Sequence, residues 1–181
     1  MGPTLKKTIL DARGVGETLG SLADEIMAAD AKAENLVLVG IRTGGVFLAQ
    51  RLKSILEKKV GQPIPSGAID INLYRDDWTR IGVKPRVGKT ELNFSIDDKR
   101  VVLVDDVLYT GRTVRAAMDA LMDFGRPGRI ELVVLVDRGH RELPICSNFT
   151  GLTLKTEREE RVNVYFEELG REDEVAVERA V

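Results

Sequence analysis

Between residues 101 and 113 the chain reads Val-Val-Leu-Val-Asp-Asp-Val-Leu-Tyr-Thr-Gly-Arg-Thr. Its apolar start fits a buried strand, which carries two adjacent carboxylates, Asp105 and Asp106, to its C-terminal end. Thr110, Gly111, Arg112 and Thr113 then turn into a helical repeat. N–H groups at a helix start have no intrahelical acceptor, and with two hydroxyls beside them they form a cradle for a phosphate. Gly111 admits close approach of the backbone. The acids cannot favour that same phosphate, so they serve something else, and ribose hydroxyls or a Mg²⁺ ion are natural partners. The combination predicts a ribose 5-phosphate site. No Gly-Lys-Ser/Thr follows, so this is not a Walker loop, and the glycine spacing is not the dinucleotide fingerprint.

Three further segments carry chemistry. Arg42, Thr43, Gly44 and Gly45 form a short loop between an apolar run and a helical one. Their backbone N–H groups and the Arg42 guanidinium suit a pyrophosphate, which needs several donors at once; an ordinary strand-to-helix loop is the simpler alternative. Residues 137–142, Asp-Arg-Gly-His-Arg-Glu, hold the single histidine, His140, between Arg138 and Arg141. Residues 75–91 are polar and basic, with Gly82, Pro85 and Gly88, and predict a long loop or hairpin. Such a loop can close over a reacting carbon and exclude water, with Arg75 and Arg80 or Lys84 reaching a leaving group. A solvated hairpin is the alternative. Trp78, the single tryptophan, reads equally as loop anchor or partner contact.

The elements that must position these groups follow from periodicity. Val15, Leu19, Leu22 and Ile26 predict an amphipathic helix over roughly 14–30, weakened by Gly16 and Gly20. The run 36–40 predicts a buried strand, and 46–59 a helix through Val46, Leu48, Leu52 and Leu56. Ile69, Ile71 and Leu73 alternate with Asp70 and Asn72, which predicts a half-buried strand. The runs 101–104 and 132–136 predict two more buried strands, with a helix over 113–124 stopped by Gly125 and Pro127. The tail holds one alternating stretch, 161–166, and an acidic end. Continuous apolar strands separated by helices mean an α/β fold with a parallel sheet covered on both faces. Ligands then sit beyond the carboxyl ends of the strands, which selects 40–45, 105–113 and 137–144.

Composition bounds the rest. A chain of 181 residues is one domain with an appendage. With 43% apolar and 31% charged residues it is globular rather than disordered. One cysteine, Cys146, excludes an internal disulfide and a cysteine-built metal site. One histidine excludes any site needing two. No run is long and apolar enough to span a bilayer, and the start MGPTLKK has no apolar signal core, so a cytoplasmic location is expected. The net charge of -2 hides an asymmetry: residues 42–115 carry 14 basic and 9 acidic side chains, and residues 116–181 carry 9 and 14. The middle suits an anionic ligand, whereas the whole is a poor generic nucleic-acid binder.

The string 101–113, an apolar strand, two acids and Thr-Gly-Arg-Thr, resembles the 5-phosphoribosyl-1-pyrophosphate (PRPP) signature of type I phosphoribosyltransferases. Its wording resembles the PyrR family of pyrimidine-operon regulators and uracil phosphoribosyltransferases, as do 39–43, 69–77 and 135–144. The similarity runs from about residue 9 to the C-terminus. It implies a type I phosphoribosyltransferase fold, a mostly parallel sheet flanked by helices. One domain would span 1–181, with a core of about 30–140 and a small hood from the two terminal segments.

The resemblance implies the reaction of uracil with PRPP to give UMP and pyrophosphate, with Mg²⁺ carried by PRPP against Asp105 and Asp106. Asp105, Asp106, Arg42 and Arg80 are the expected catalytic residues. Val107, Leu108, Tyr109, Thr110, Gly111, Arg112 and Thr113 would hold the phosphate, and Arg42, Thr43 and Arg138 the pyrophosphate. Arg138, Gly139 and His140 would meet the uracil, read largely by backbone groups near 138–144, without general-base work by His140. Most relatives carry arginine where Gly44 stands. The family also binds pyrimidine-gene leader mRNA when UMP or UTP is bound, attenuating transcription, and a homo-oligomer is expected. Its basic residues on the first helix and after the 137–144 loop are replaced here by Gly20, Ser21, Asp24, Ala29, Cys146 and Leu152, leaving Arg141 as the RNA contact. A phosphoribosyltransferase without RNA binding is the alternative; a purine or orotate enzyme is a further one, against which the 137–144 run argues.

Overall fold

The computed structural model describes residues 4–30, 33–76 and 89–180. Five parallel strands form the main sheet: β2 (Leu36–Ile41), β3 (Ser66–Ile69), β4 (Arg100–Leu108), β5 (Arg129–Asp137) and β6 (Phe149–Thr153), in the order β3-β2-β4-β5-β6. Along β2, β4 and β5, alternate residues feed two separate cores. Leu36, Leu38, Val102, Val104, Val133 and Leu135 face one side, and Val37, Val39, Val101, Leu103, Leu132 and Val134 the other. Both faces are apolar because both are covered, which is why these strands read as unbroken apolar runs.

Helices α1 (Ala12–Ala29) and α2 (Gly44–Val60) cover the first face, and α3 (Arg112–Met122) covers the second. In α1, Val15, Leu19, Leu22, Ala23 and Ile26 are buried, and Asp11 caps the helix by accepting from the Gly14 N–H at 2.8 Å. The helix starts earlier than the periodicity predicts, so it includes Arg13, whose guanidinium pairs with Glu17 at 2.8 Å. Helix α2 presses its first turn onto the sheet. A Cβ on Gly45 would stand 2.1 Å from the carbonyl oxygen of Val104, so only glycine allows this approach.

A second, antiparallel sheet joins β1 (Thr4–Leu10), β8 (Glu174–Ala180) and β7 (Arg161–Tyr165), in the order β1-β8-β7. A short 3₁₀ turn, Glu167–Leu169, lies between β7 and β8. Phe166 and Val175 place this sheet against the first core. The Arg51 guanidinium of α2 binds both Glu168 and Asp173, fastening helix to sheet.

The half-buried strand expected through Leu73 ends at Ile69. The Asp70 carboxylate accepts the Asn72 N–H at 2.7 Å and turns the chain, which leaves Leu73 69% exposed. Strand β4 runs on to Leu108, so the two acids lie within the strand rather than beyond it.

Candidate active site

At the carboxyl ends of β2, β4 and β5 the three expected loops converge. Residues 107–114 line a cavity of about 320 Å³ together with Arg75, Asp105 and Glu142. Thr110 and left-handed Gly111, at φ 92°, lead into α3, whose Arg112 N–H donates to Thr110 Oγ1 at 3.4 Å while the next first-turn N–H groups have no intrahelical acceptor. A Cβ on Gly111 would touch Ile145 at 3.3 Å, so glycine meets both the dihedral and the packing. Arg75 reaches Thr113 Oγ1 at 3.5 Å, placing a guanidinium at the cradle.

The two acids point to different places. Asp105 faces this cavity, whereas Asp106 turns toward the 42–45 loop, its Oδ2 lying over Gly44. Burial pushes the Asp105 carboxyl well above the usual carboxylate range, and the charge of Asp106 adds to it. Burial also raises Asp106, partly offset by the Val107 N–H it accepts at 2.8 Å. Two neighbouring carboxyls held this way await a cation or a polyol. They supply only two ligands, and no cluster of three or more His, Cys, Asp or Glu side chains suited to a metal exists among the described residues. The set fits a Mg²⁺ whose remaining ligands come from a substrate's oxygens and water.

Arg42 donates from Nε to the carbonyl of Lys89 at 2.9 Å and lies 3.4 Å from Glu91. The Arg42–Thr43 peptide is cis. This loop therefore meets Asp106 on one side and the end of the 75–91 segment on the other. Arg80, Lys84 and Trp78 lie outside the described residues.

The 137–144 loop lies along the end of β4. Arg138 N–H donates to the Leu108 carbonyl, and the N–H groups of Glu142 and Leu143 donate to that of Thr110. A second cavity, of about 430 Å³, opens between 137–141 and 153–156. His140 lies in its wall with φ 58°, its Nε2 2.6 Å from the Thr156 carbonyl, so that nitrogen carries the proton. Arg138 and Gly139 share this wall. The Arg141 guanidinium is spent within the chain, on the carbonyls of Ile145, Tyr109 and Gly139 and on the Asp137 carboxylate.

Residues 6–166 match the model of the phosphoribosyl transferase domain family. The bifunctional protein PyrR of Syntrophobacter fumaroxidans is 53% identical over 96% of this chain and 94% of its own length. That of Clostridioides difficile is 48% identical over 95% of this chain and 97% of its own. This chain belongs to the PyrR family. Solved structures agree on the fold: a hypoxanthine phosphoribosyltransferase of Trypanosoma cruzi superposes with a TM-score of 0.72 over 97% of each chain at 19% identity.

For a PyrR-family member, two parts of the site were not visible in the sequence. The 153–156 segment closes the second cavity, although the sequence marked no element or site there. Arg112 carries a double ion pair, to Glu142 at 2.8 Å and to Asp76 at 2.6 Å, joining three separate segments. Charge spacing along the chain cannot reveal such a junction.

Proposed function

We propose that the two cavities form one uracil phosphoribosyltransferase site, as the family implies. The observation that carries this reading is that Asp105 and the open helix start at 110–113 line one cavity, as a ribose 5-phosphate requires. The 5-phosphate would sit on the N–H groups of 110–113, the ribose diol near Asp105, and the uracil in the cavity bounded by Arg138, Gly139 and His140. Arg42, Thr43 and Arg138 would meet the pyrophosphate. A Mg²⁺ ion held by PRPP oxygens against Asp105 and Asp106 would neutralise charge on the departing group.

The chemistry is a displacement at the anomeric carbon. The bond to pyrophosphate breaks ahead of bond formation with uracil N1, through an oxocarbenium-like ribosyl centre, and the N1 proton of uracil passes to the departing pyrophosphate or to water. No side chain needs to attack. The site contributes position and charge, and phosphate binding remote from the reacting carbon supplies orientation. Coupled assay of UMP formation, with hypoxanthine and orotate as competing bases, tests this reading; faster turnover of either competitor would overturn the choice of uracil.

The same uridine-nucleotide site would govern binding to leader mRNA of pyrimidine genes in the cytoplasm, with a homo-oligomer as the working form and the small sheet as the hood. A transferase without RNA binding is the second reading. It is favoured by Arg141, whose donors are occupied, and by the helix-α1 arginine, Arg13, which is paired with Glu17. Filter binding with and without UMP separates the two.

A further inference from the structure

Arg138 is a cation buried to 6% exposure, and among the described residues no carboxylate pairs with it. One terminal nitrogen, Nη2, donates to the Glu157 carbonyl at 2.9 Å. Its Nε is buried without a hydrogen-bond acceptor. A charge desolvated in this way needs another source of stabilisation. The guanidinium carbon lies 4.1 Å from the centre of the Tyr109 ring, so the π face supplies it.

Tyr109 is itself held from both sides. Its carbonyl accepts from Arg141 at 2.8 Å, and its neighbours' carbonyls accept from the N–H groups of Arg138 and Glu142. The His140 ring meets the Tyr109 ring edge-on at 6.0 Å between centres. Tyr109 thus lines the phosphate cavity, while its ring contacts Arg138 and His140 in the wall of the other cavity.

We infer that Tyr109 is a positioning residue for base recognition. Its ring fixes Arg138 so that the guanidinium meets a carbonyl oxygen of the pyrimidine, while the phosphate is bound without help from that ring. This rests on the uracil phosphoribosyltransferase reading. The backbone of Tyr109 belongs to the phosphate cradle, but its ring acts through Arg138, and a leucine there would leave Arg138 free to swing off its acceptor.

The test compares Tyr109→Leu and Tyr109→Phe. Tyr109→Leu raises the KM for uracil about tenfold, as expected for a desolvated cation–π contact, and leaves the Kd for ribose 5-phosphate within about twofold. Tyr109→Phe keeps the ring and restores the uracil KM. Arg138→Met combined with Tyr109→Leu loses no more than Arg138→Met alone, since the two act as one unit. If Tyr109→Leu melts at assay temperature, Tyr109→Met keeps the bulk without the π face and carries the same expectation. Unchanged uracil KM, equal losses for uracil and ribose 5-phosphate, a rise confined to the PRPP KM, or additive losses in the double variant would each overturn the inference while UMP formation by the unaltered protein still stands. Failure of the unaltered protein to form or bind UMP would instead remove the functional reading, and the inference with it.

Discussion

Gly44 lies directly against the carboxylate of Asp106: a Cβ built on Gly44 would stand 2.3 Å from Oδ2 and 2.7 Å from Cγ of that acid. Helix α2 and strand β4 therefore touch, through one bare Cα, between the loop suited to pyrophosphate and the acid pair suited to a cation. Any side chain at 44 and the present place of Asp106 exclude each other.

Gly44→Ala should displace the Asp106 carboxylate, because overpacking of this kind costs about 1–3 kcal/mol unless the neighbour moves. The expected outcome is a PRPP KM raised roughly tenfold, about 1.4 kcal/mol, with little change for uracil. Steady-state kinetics with each substrate varied in turn checks this. Equal KM values for PRPP in both proteins would show that Asp106 has no role at that loop.

The raised carboxyls make stability depend on pH in a definite direction. Asp105 holds its proton more tightly folded than unfolded, because burial and the Asp106 charge oppose ionisation. Its contribution is intact below the unfolded pKa and is lost as pH rises through the folded one. Asp105→Asn should therefore raise the Tm of the ligand-free protein at neutral pH. That gain should shrink as the pH falls below the ordinary carboxylate range. The same substitution combined with Asp106→Asn should abolish UMP formation. A lower Tm for Asp105→Asn at neutral pH would mean the carboxylate is stabilised rather than strained.

Gly111→Val would place a β-branched residue at φ 92° and against Ile145. With the donors of 110–113 pulled out of line, UMP affinity should fall at least about tenfold, the equivalent of one charge-assisted hydrogen bond. Calorimetric titration of UMP measures it, and an unaltered Kd would take the phosphate out of this cradle.

Much of the fold was legible because it rests on one pattern. The runs 36–41, 101–104 and 132–136 are apolar on both faces, as a covered parallel strand requires. The loops beyond them followed from the topology. Strand β6, with Gly151 and two threonines among its five residues, had no such signature; it is fixed by close packing, since a Cβ on Gly151 would meet Thr18 at 2.4 Å. The extension of the alternation through Leu73 failed at Asp70, whose side chain competes for the backbone. The Arg138–Tyr109 stack joins residues 29 positions apart, each just past the end of one of two neighbouring strands, and only the register of β4 on β5 brings them together.

At the opposite end of the sheet, Arg100 and Glu131 form a buried pair at 2.6 Å, with Glu131 only 1% exposed. Glu131→Gln leaves the Arg100 charge with only the more distant Asp30, at 3.9 Å, as a counter-charge and should cost about 3–5 kcal/mol. Replacing both by apolar residues of similar volume should cost far less. Urea unfolding of the single and double variants decides between a pair that stabilises and one that only satisfies itself.

RNA binding gives the sharpest salt test. Arg13 is paired with Glu17, and the Arg141 guanidinium is engaged by four acceptors of its own loop region. Neither arginine of the expected RNA face is thus free to replace counterions on RNA, and each phosphate contact adds roughly 0.7–0.9 to the slope of log affinity against log salt. UMP-dependent binding to a pyrimidine-gene leader hairpin should accordingly show a shallow slope, about -2 to -4. Arg141→Ala should weaken RNA binding through the 137–145 loop it braces, so the slope at saturating UMP stays the same. A slope shallower by about 0.8 in that variant would instead mark a direct phosphate contact by Arg141. A slope steeper than about -6 would require a basic surface assembled across a subunit interface. No saturable binding at low salt with UMP present would leave the transferase as the sole activity.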